Sequence, residues 1–270
     1  MTNMSLKSLP QLTLYRGFAV VGCHVWSPFV NKLETRLRIA GVSYRVEAGS
    51  MREAPRGKIP YVAIQDDAGS ELLGDTTLII RRLIDDKVLP DLSASLTPSQ
   101  RAQDLAIRAL LEDKLCPFLT RERWIDNYYT MRAGALAALP YLAQLVVGPL
   151  AYHGVTRTLY GQGAGRFTDA EAREFKREVW DSLAAILTEV RNGDAAVAAR
   201  RDDPRAPFWV LGRAEPSEAD ATIYGFLAAS LVCDAAPETR EMVGGFPVLM
   251  DYAARIRDKW FADYEGWDVE

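Results

Sequence analysis

Up to about residue 88 short apolar runs alternate with a helical pattern, and beyond that point only helical periodicity remains. A chain patterned this way divides into a small sheet with few helices, followed by a larger helical part. Leu12-Thr13-Leu14-Tyr15 predicts a first strand. Residues 28–40 predict a helix with Val30, Leu33, Leu37 and Ala40 in one apolar stripe and Gly41 as its stop. Residues 43–46 predict a second strand, and the right-handed crossover makes the first two strands parallel neighbours. Two further strands, 61–64 and 71–73, flank the turn-forming Asp66-Asp67-Ala68-Gly69-Ser70 and predict a hairpin. A helix over 76–84 closes this unit.

Pro90 and Pro98 cannot both continue helices, so 89–98 reads as a linker between a domain over 1–88 and an all-helical domain over 99–270. Within the second, 99–129 carries Leu105, Leu110, Leu111 and Leu115 on one side, and 168–191 carries Phe175, Val179, Leu183 and Leu187 at steps of four. Residues 192–207 are polar and read as a surface loop. Ser217 and Asp220 predict a capping box opening a helix through Ile223, Phe226 and Leu227, and a last helix follows Phe246-Pro247. The stretch 133–153 has no charged residue and approaches the length of a bilayer span, but Pro140 and Pro149 would break it. Buried helices or a lid over a pocket are therefore expected there, with no membrane partner.

A net charge of -4 with interspersed signs leaves no basic stripe for phosphate binding, so no nucleic-acid partner is expected. Three widely spaced cysteines, Cys23, Cys116 and Cys233, do not make a disulfide framework and indicate a reducing compartment. His24 and His153 do not stand at ligand spacing with a cysteine, so no metal site is expected. The first residues lack the apolar core of a secretory signal.

Three loops carry the candidate chemistry. Ser27 precedes Pro28, a residue suited to the first helical position, and so reads as an N-cap. The same hydroxyl can also donate to an anion over the helix end, where hydroxyl and dipole each favour a thiolate by about 1 kcal/mol. Lys58-Ile59-Pro60 ends a glycine-bearing loop at a strand start. Its proline is tolerated there in any case, and with a cis bond Ile59 would present its main chain to a peptide ligand as one more strand. Lys58 is either a solvated lysine or a partner for a carboxylate. Asp75-Thr76 is either an ordinary helix cap or a grip on an amino-acid head group, Thr76 taking the carboxylate and Asp75 facing the ammonium.

Ser27-Pro28-Phe29 with Lys32-Leu33-Glu34-Thr35, then Gly57-Lys58-Ile59-Pro60-Tyr61, then Gly74-Asp75-Thr76, resembles the glutathione transferase superfamily, and within it the metaxin/failed-axon-connections branch. Gly161-Gln162-Gly163-Ala164-Gly165-Arg166-Phe167 is similar to that branch's C-terminal signature, and Pro216-Ser217-Glu218-Ala219-Asp220 to the superfamily's late capping motif. The resemblance implies the glutathione transferase fold: an α/β thioredoxin-like N-terminal domain plus an all-α C-terminal domain, with glutathione as co-substrate between them. It implies Ser27 as the catalytic hydroxyl near the glutathione sulfur, Ile59 and Pro60 at the cis-proline position, and Asp75 and Thr76 on the γ-glutamyl end. Val30 stands where the branch often has cysteine and Thr76 where serine is more usual. Without a cysteine at 27 or 30, disulfide exchange is disfavoured.

The expected function is activation of the glutathione thiolate for attack on a hydrophobic electrophile, in transfer, isomerisation or ether cleavage. Trp124, Tyr128 and Tyr129 are candidate walls for that second substrate, although such a cluster is more often core than pocket. The alternatives are a non-catalytic metaxin-like interaction scaffold and a glutathione-dependent ligand-binding protein. A cytoplasmic protein is expected. Homodimerisation is left open, being the superfamily's habit while metaxin-like relatives carry a longer helical insert.

Overall fold

The computed structural model describes residues 10–18, 20–66 and 69–267. The signal-peptide expectation and the central turn pair Asp67-Ala68 lie outside the described residues.

A four-stranded mixed sheet, ordered β2-β1-β3-β4, is formed by β1 (Gln11–Tyr15), β2 (Arg45–Glu47), β3 (Tyr61–Asp66) and β4 (Gly69–Gly74). The β1-β2 pair is parallel and the β3-β4 pair is an antiparallel hairpin, as read from the sequence, and the structure adds an antiparallel pairing of β1 with β3. Strand β2 begins two residues later than the apolar run suggested, because Val42 instead completes the preceding helix end. Helix α1 (Pro28–Ile39) stops where expected: Gly41, at φ +66, returns its N–H to Arg38 and Val42 returns its own to Leu37. Both bonds satisfy carbonyls that the helix leaves free, and only glycine adopts that φ without strain. Helix α2 (Thr76–Asp85) then covers the same sheet face, and Leu14, Leu33, Leu37, Val62, Ile79 and Leu83 form the core between.

Thr97 and Gln100 make a reciprocal cap that opens α3 (Pro98–Ala109). The helix predicted over 99–129 is instead a chain of short pieces. A π-helical turn, Leu110–Leu115, leads into α4 (Cys116–Arg121), and a second, Glu122–Asp126, leads into α5 (Tyr128–Ala135). The first widening sits just before Pro117, whose missing N–H and ring would disrupt a regular turn. Leu111 and Leu115 are buried as expected, but Leu105 is solvent-facing.

Helix α6 (Tyr141–Gln162) overturns the reading of 133–153 as buried, and of Pro149 as a break. The run is interrupted between Ala135, where α5 ends, and Pro140, which precedes the first residue of α6. Pro149 lies inside α6 without breaking it, since the preceding residue is Gly148 and there is no Cβ to oppose the proline ring. Much of the apolar surface is exposed, including Leu142, Val146 and Leu150. Helix α7 (Asp169–Arg191) begins at the Thr168–Glu171 box. The polar stretch 192–207 contains α8 (Asp194–Asp202) rather than only a loop, its alanines favouring helix and its acidic start and basic end matching the dipole.

The centre of the molecule is α9 (Glu218–Val232), nearly every residue of which is buried. Asp220 closes its N-terminus. The carboxylate accepts from the N–H of Ser217 and of Val210, both at 2.7 Å, and from the Tyr252 hydroxyl at 2.8 Å. Burial still pushes its pKa up to about 6. Helices α10 (Pro237–Gly244) and α11 (Pro247–Trp260) pack beside it.

Helix α1 lies along α9 and joins sheet to helices. The contact is close because Gly225 has no side chain: a Cβ there would stand 2.5 Å from the Pro28 carbonyl oxygen and 2.6 Å from the Lys32 nitrogen. Arg36 reinforces it from a fully buried position, its Nε within 2.8 and 2.9 Å of the two Glu218 oxygens and an Nη donating to the Pro90 carbonyl. Lys32 pairs with Glu112 at 2.6 Å.

Candidate functional site

The sheet register brings the three loops to one place. Tyr15 pairs with Tyr61, Tyr61 with Gly74, and Tyr15 also with Glu47. Those four residues form one end of the sheet. The segment leading to Ser27 leaves from Tyr15, Ile59-Pro60 arrives at Tyr61, Asp75-Thr76 leaves from Gly74, and the 48–58 loop leaves from Glu47. Tyr15 and Tyr61 stack with ring centroids 4.3 Å apart, and the Tyr61 hydroxyl accepts from the Ser50 N–H. Gly49, at φ +70, packs so closely on this pair that a Cβ would come 2.6 Å from that of Tyr15.

Ser27 is half-buried and caps α1. Its Oγ accepts from the Val30 N–H at 3.4 Å, a long bond, and its hydrogen is uncommitted to that contact. Val30 itself is fully buried. Two residues that sequence reasoning missed hold Ser27 in place. Asn31 clamps Val25, accepting its N–H at 3.1 Å and donating to its carbonyl at 2.9 Å. Arg123, from the helical part, donates to the Trp26 carbonyl at 2.8 Å. The Trp26 ring lies against α5, where a Cβ on Gly134 would overlap it. Nothing local in the sequence signals these long-range partners, though an asparagine four residues past an N-cap serine was open to suspicion.

The Ile59-Pro60 bond is cis, the isomer that the sequence left open. Ile59 touches Gly17, at the start of the Ser27 loop. Lys58 is exposed, and so is Arg56, a basic residue not singled out from sequence, whose stem passes over Gly74 at 3.5 Å from the glycine's Cβ position. Asp75 has φ +78, an uncommon value for a residue with a side chain, and its Oδ1 accepts from the Thr77 and Leu78 N–H groups at 3.0 and 3.1 Å. Asp75 is therefore a true cap, exposed, with Thr76 buried beside it. The arrangement presents two helix N-termini and two basic side chains at one sheet end, which suits a ligand carrying carboxylates and an ionised sulfur.

On the helical side Cys116 is half-buried, and burial pushes its thiol pKa up against the pull of Arg123 and Lys58. Trp124 and Tyr128 are half-buried and Tyr129 is exposed. Tyr128 stacks edge-on with Tyr129 and Tyr152, each at 5.3 Å, and its hydroxyl fills the place of a Gly148 side chain. That cluster braces α5 against α6. Two cavities, of about 420 and 350 Å³, are lined by neither these aromatics nor Ser27, Ile59, Pro60, Asp75 and Thr76.

The loop ahead of Ser27 is also latched by the last described residues. Glu265 donates its N–H to the Gly22 carbonyl, and His24 is enclosed by Tyr224, Phe261, Tyr264 and Trp267 with Nε2 at 2.8 Å from the Tyr224 hydroxyl. Burial, with Arg16 and Arg38 nearby, lowers the His24 pKa to about 3.

Sheet, helical part and loop placement together define a protein of glutathione transferase fold. Residues 28–131 match the family model of the glutathione S-transferase N-terminal domain. Among solved structures of the same fold, glutathione transferase GSTFuA2 from Phanerochaete chrysosporium has a TM-score of 0.59 at 14% identity, covering 93% of this chain and 98% of its own. Ure2p in complex with glutathione has a TM-score of 0.57 at 14% identity over 96% of this chain and 95% of its own. Glutathione transferase Omega 2S from Trametes versicolor has a TM-score of 0.52 at 17% identity over 96% and 94%.

Proposed function

We propose that the protein binds glutathione at this sheet end and activates its thiolate for attack on a hydrophobic electrophile, by transfer, isomerisation or ether cleavage. The observation that carries the reading is the convergence of two capped helix N-termini, at Ser27 and at Asp75-Thr76, on the sheet end that the family match covers in part. Ser27 donates to the sulfur, so that hydroxyl and helix dipole hold it ionised near neutral pH. Thr76 and Asp75 hold the γ-glutamyl end, the Ile59 main chain pairs with the peptide, and Lys58 with Arg56 faces the glycyl carboxylate. Trp124, Tyr128 and Tyr129 stand on the side of the second substrate. The domains run over 1–88 and 99–270 with 89–98 between. Membership of the metaxin/failed-axon-connections branch rests on the motifs alone. The free cysteines favour the cytoplasm.

Calorimetric titration of glutathione, followed by ultraviolet absorbance of the bound thiolate across pH, tests this reading. Saturable binding with a lowered thiol pKa is expected. Ser27→Ala should raise that pKa by about one unit with a smaller change in affinity, whereas Thr76→Ala should weaken affinity itself. No binding at millimolar glutathione refutes the reading. A second reading, a non-catalytic interaction protein, is favoured by one feature, the exposed apolar face of α6.

A further inference from the structure

Helix α6 carries one Arg and no Lys, Asp or Glu along its length. A helix so apolar on every side is ordinarily enclosed, and this one is enclosed on one side only. Gly148 and Leu159 face α4 and α5. On the opposite side Leu142, Val146 and Leu150, spaced one turn apart, are 76%, 63% and 68% exposed. At 100° per residue Arg157 continues that stripe, with His153 beside it. Tyr129, Tyr141 and Tyr160 stand exposed around it.

The charge pattern says what covers this face. The chain has 36 acidic residues, yet none lies between Asn127 and Thr168, where Arg132, Arg157 and Arg166 fall. Arg157 and Arg166 are exposed, Arg166 sitting over the Tyr160 ring at 4.7 Å, whereas Arg132 packs its stem on Gly148 at the enclosed side. We propose that this face lies on an anionic phospholipid bilayer, with Leu142, Val146 and Leu150 at the acyl boundary, the exposed tyrosines at headgroup level and Arg157 and Arg166 toward lipid phosphates. A second copy of the chain would be served by the apolar stripe alone and gives no reason for acids to be missing around it. An anionic surface repels every carboxylate near it, and a chain of net charge -4 approaches such a surface only through a locally positive face. The inference concerns attachment to a surface; no single described helix is long and apolar enough to cross a membrane.

The test is cosedimentation of the full chain with vesicles of phosphatidylcholine alone and of phosphatidylcholine mixed with phosphatidylglycerol. The protein should pellet with the mixed vesicles, more weakly in high salt. Arg157→Gln should lower the partition coefficient about fivefold. The Leu142→Glu/Leu150→Glu double variant should abolish pelleting while keeping its circular dichroism, since both positions face solvent. Failure of the parent to bind mixed vesicles, or equal binding by the double variant, overturns the proposal. So does a dimer in light scattering that the double variant dissolves while the parent ignores vesicles, which would assign the face to a second copy.

Discussion

Replacing Gly225 by alanine tests whether the α1-α9 contact positions the site. The new methyl would meet the Pro28 oxygen at 2.5 Å, the Lys32 nitrogen at 2.6 Å and the Lys32 Cα at 2.9 Å, where an ordinary contact needs 3.4 Å or more. All three are backbone atoms of α1, so no side chain can rotate aside, and the helix must back away by about 1 Å or α9 must distort. Overpacking of this kind costs about 3 kcal/mol, and alanine's better helix propensity returns about 1 kcal/mol, leaving a net loss of about 2 kcal/mol. The displaced end of α1 is the turn that Ser27 caps, so glutathione affinity should fall along with stability. Urea denaturation at neutral pH gives the first quantity and calorimetric titration at a temperature where the variant is folded gives the second. A variant as stable as the parent would refute the packing argument. A variant destabilised as expected but binding glutathione with unchanged affinity would refute the link from helix position to site.

His24 offers a pH test: its native pKa is about 3 against an ordinary 6.5, so the unfolded chain binds a proton that the native one refuses. Its contribution is fully present above pH 6.5 and is lost as pH falls toward 3, by about 2 kcal/mol on reaching pH 5. The stability difference between parent and His24→Asn should therefore shrink by that amount between pH 8 and pH 5, and a difference independent of pH would contradict it. Arg36→Met leaves the Glu218 carboxylate buried without its partner and should cost about 3–5 kcal/mol in urea unfolding. The Arg36→Met/Glu218→Met double variant should recover much of that loss, and a strictly additive double variant would show that the pair is not coupled.

The helix starts at Ser27, Asp75 and Ser217, the Gly41 stop and the parallel pairing of β1 with β2 were legible in the chain, because a cap or a crossover acts over a few residues and leaves a residue pattern. The three candidate loops were legible for the same reason. Only the tertiary structure gathered them at one sheet end, through the pairing of Tyr15, Tyr61 and Gly74, and only it supplied Asn31 and Arg123 as clamps on Val25 and Trp26, just ahead of Ser27. Likewise 133–153 had the composition of something buried, and 192–207 that of a loop. Composition states how much apolar surface a helix has, whereas which side of it meets protein depends on the neighbours that the rest of the chain delivers. For α6 those neighbours, α4 and α5, cover one side and leave the other open.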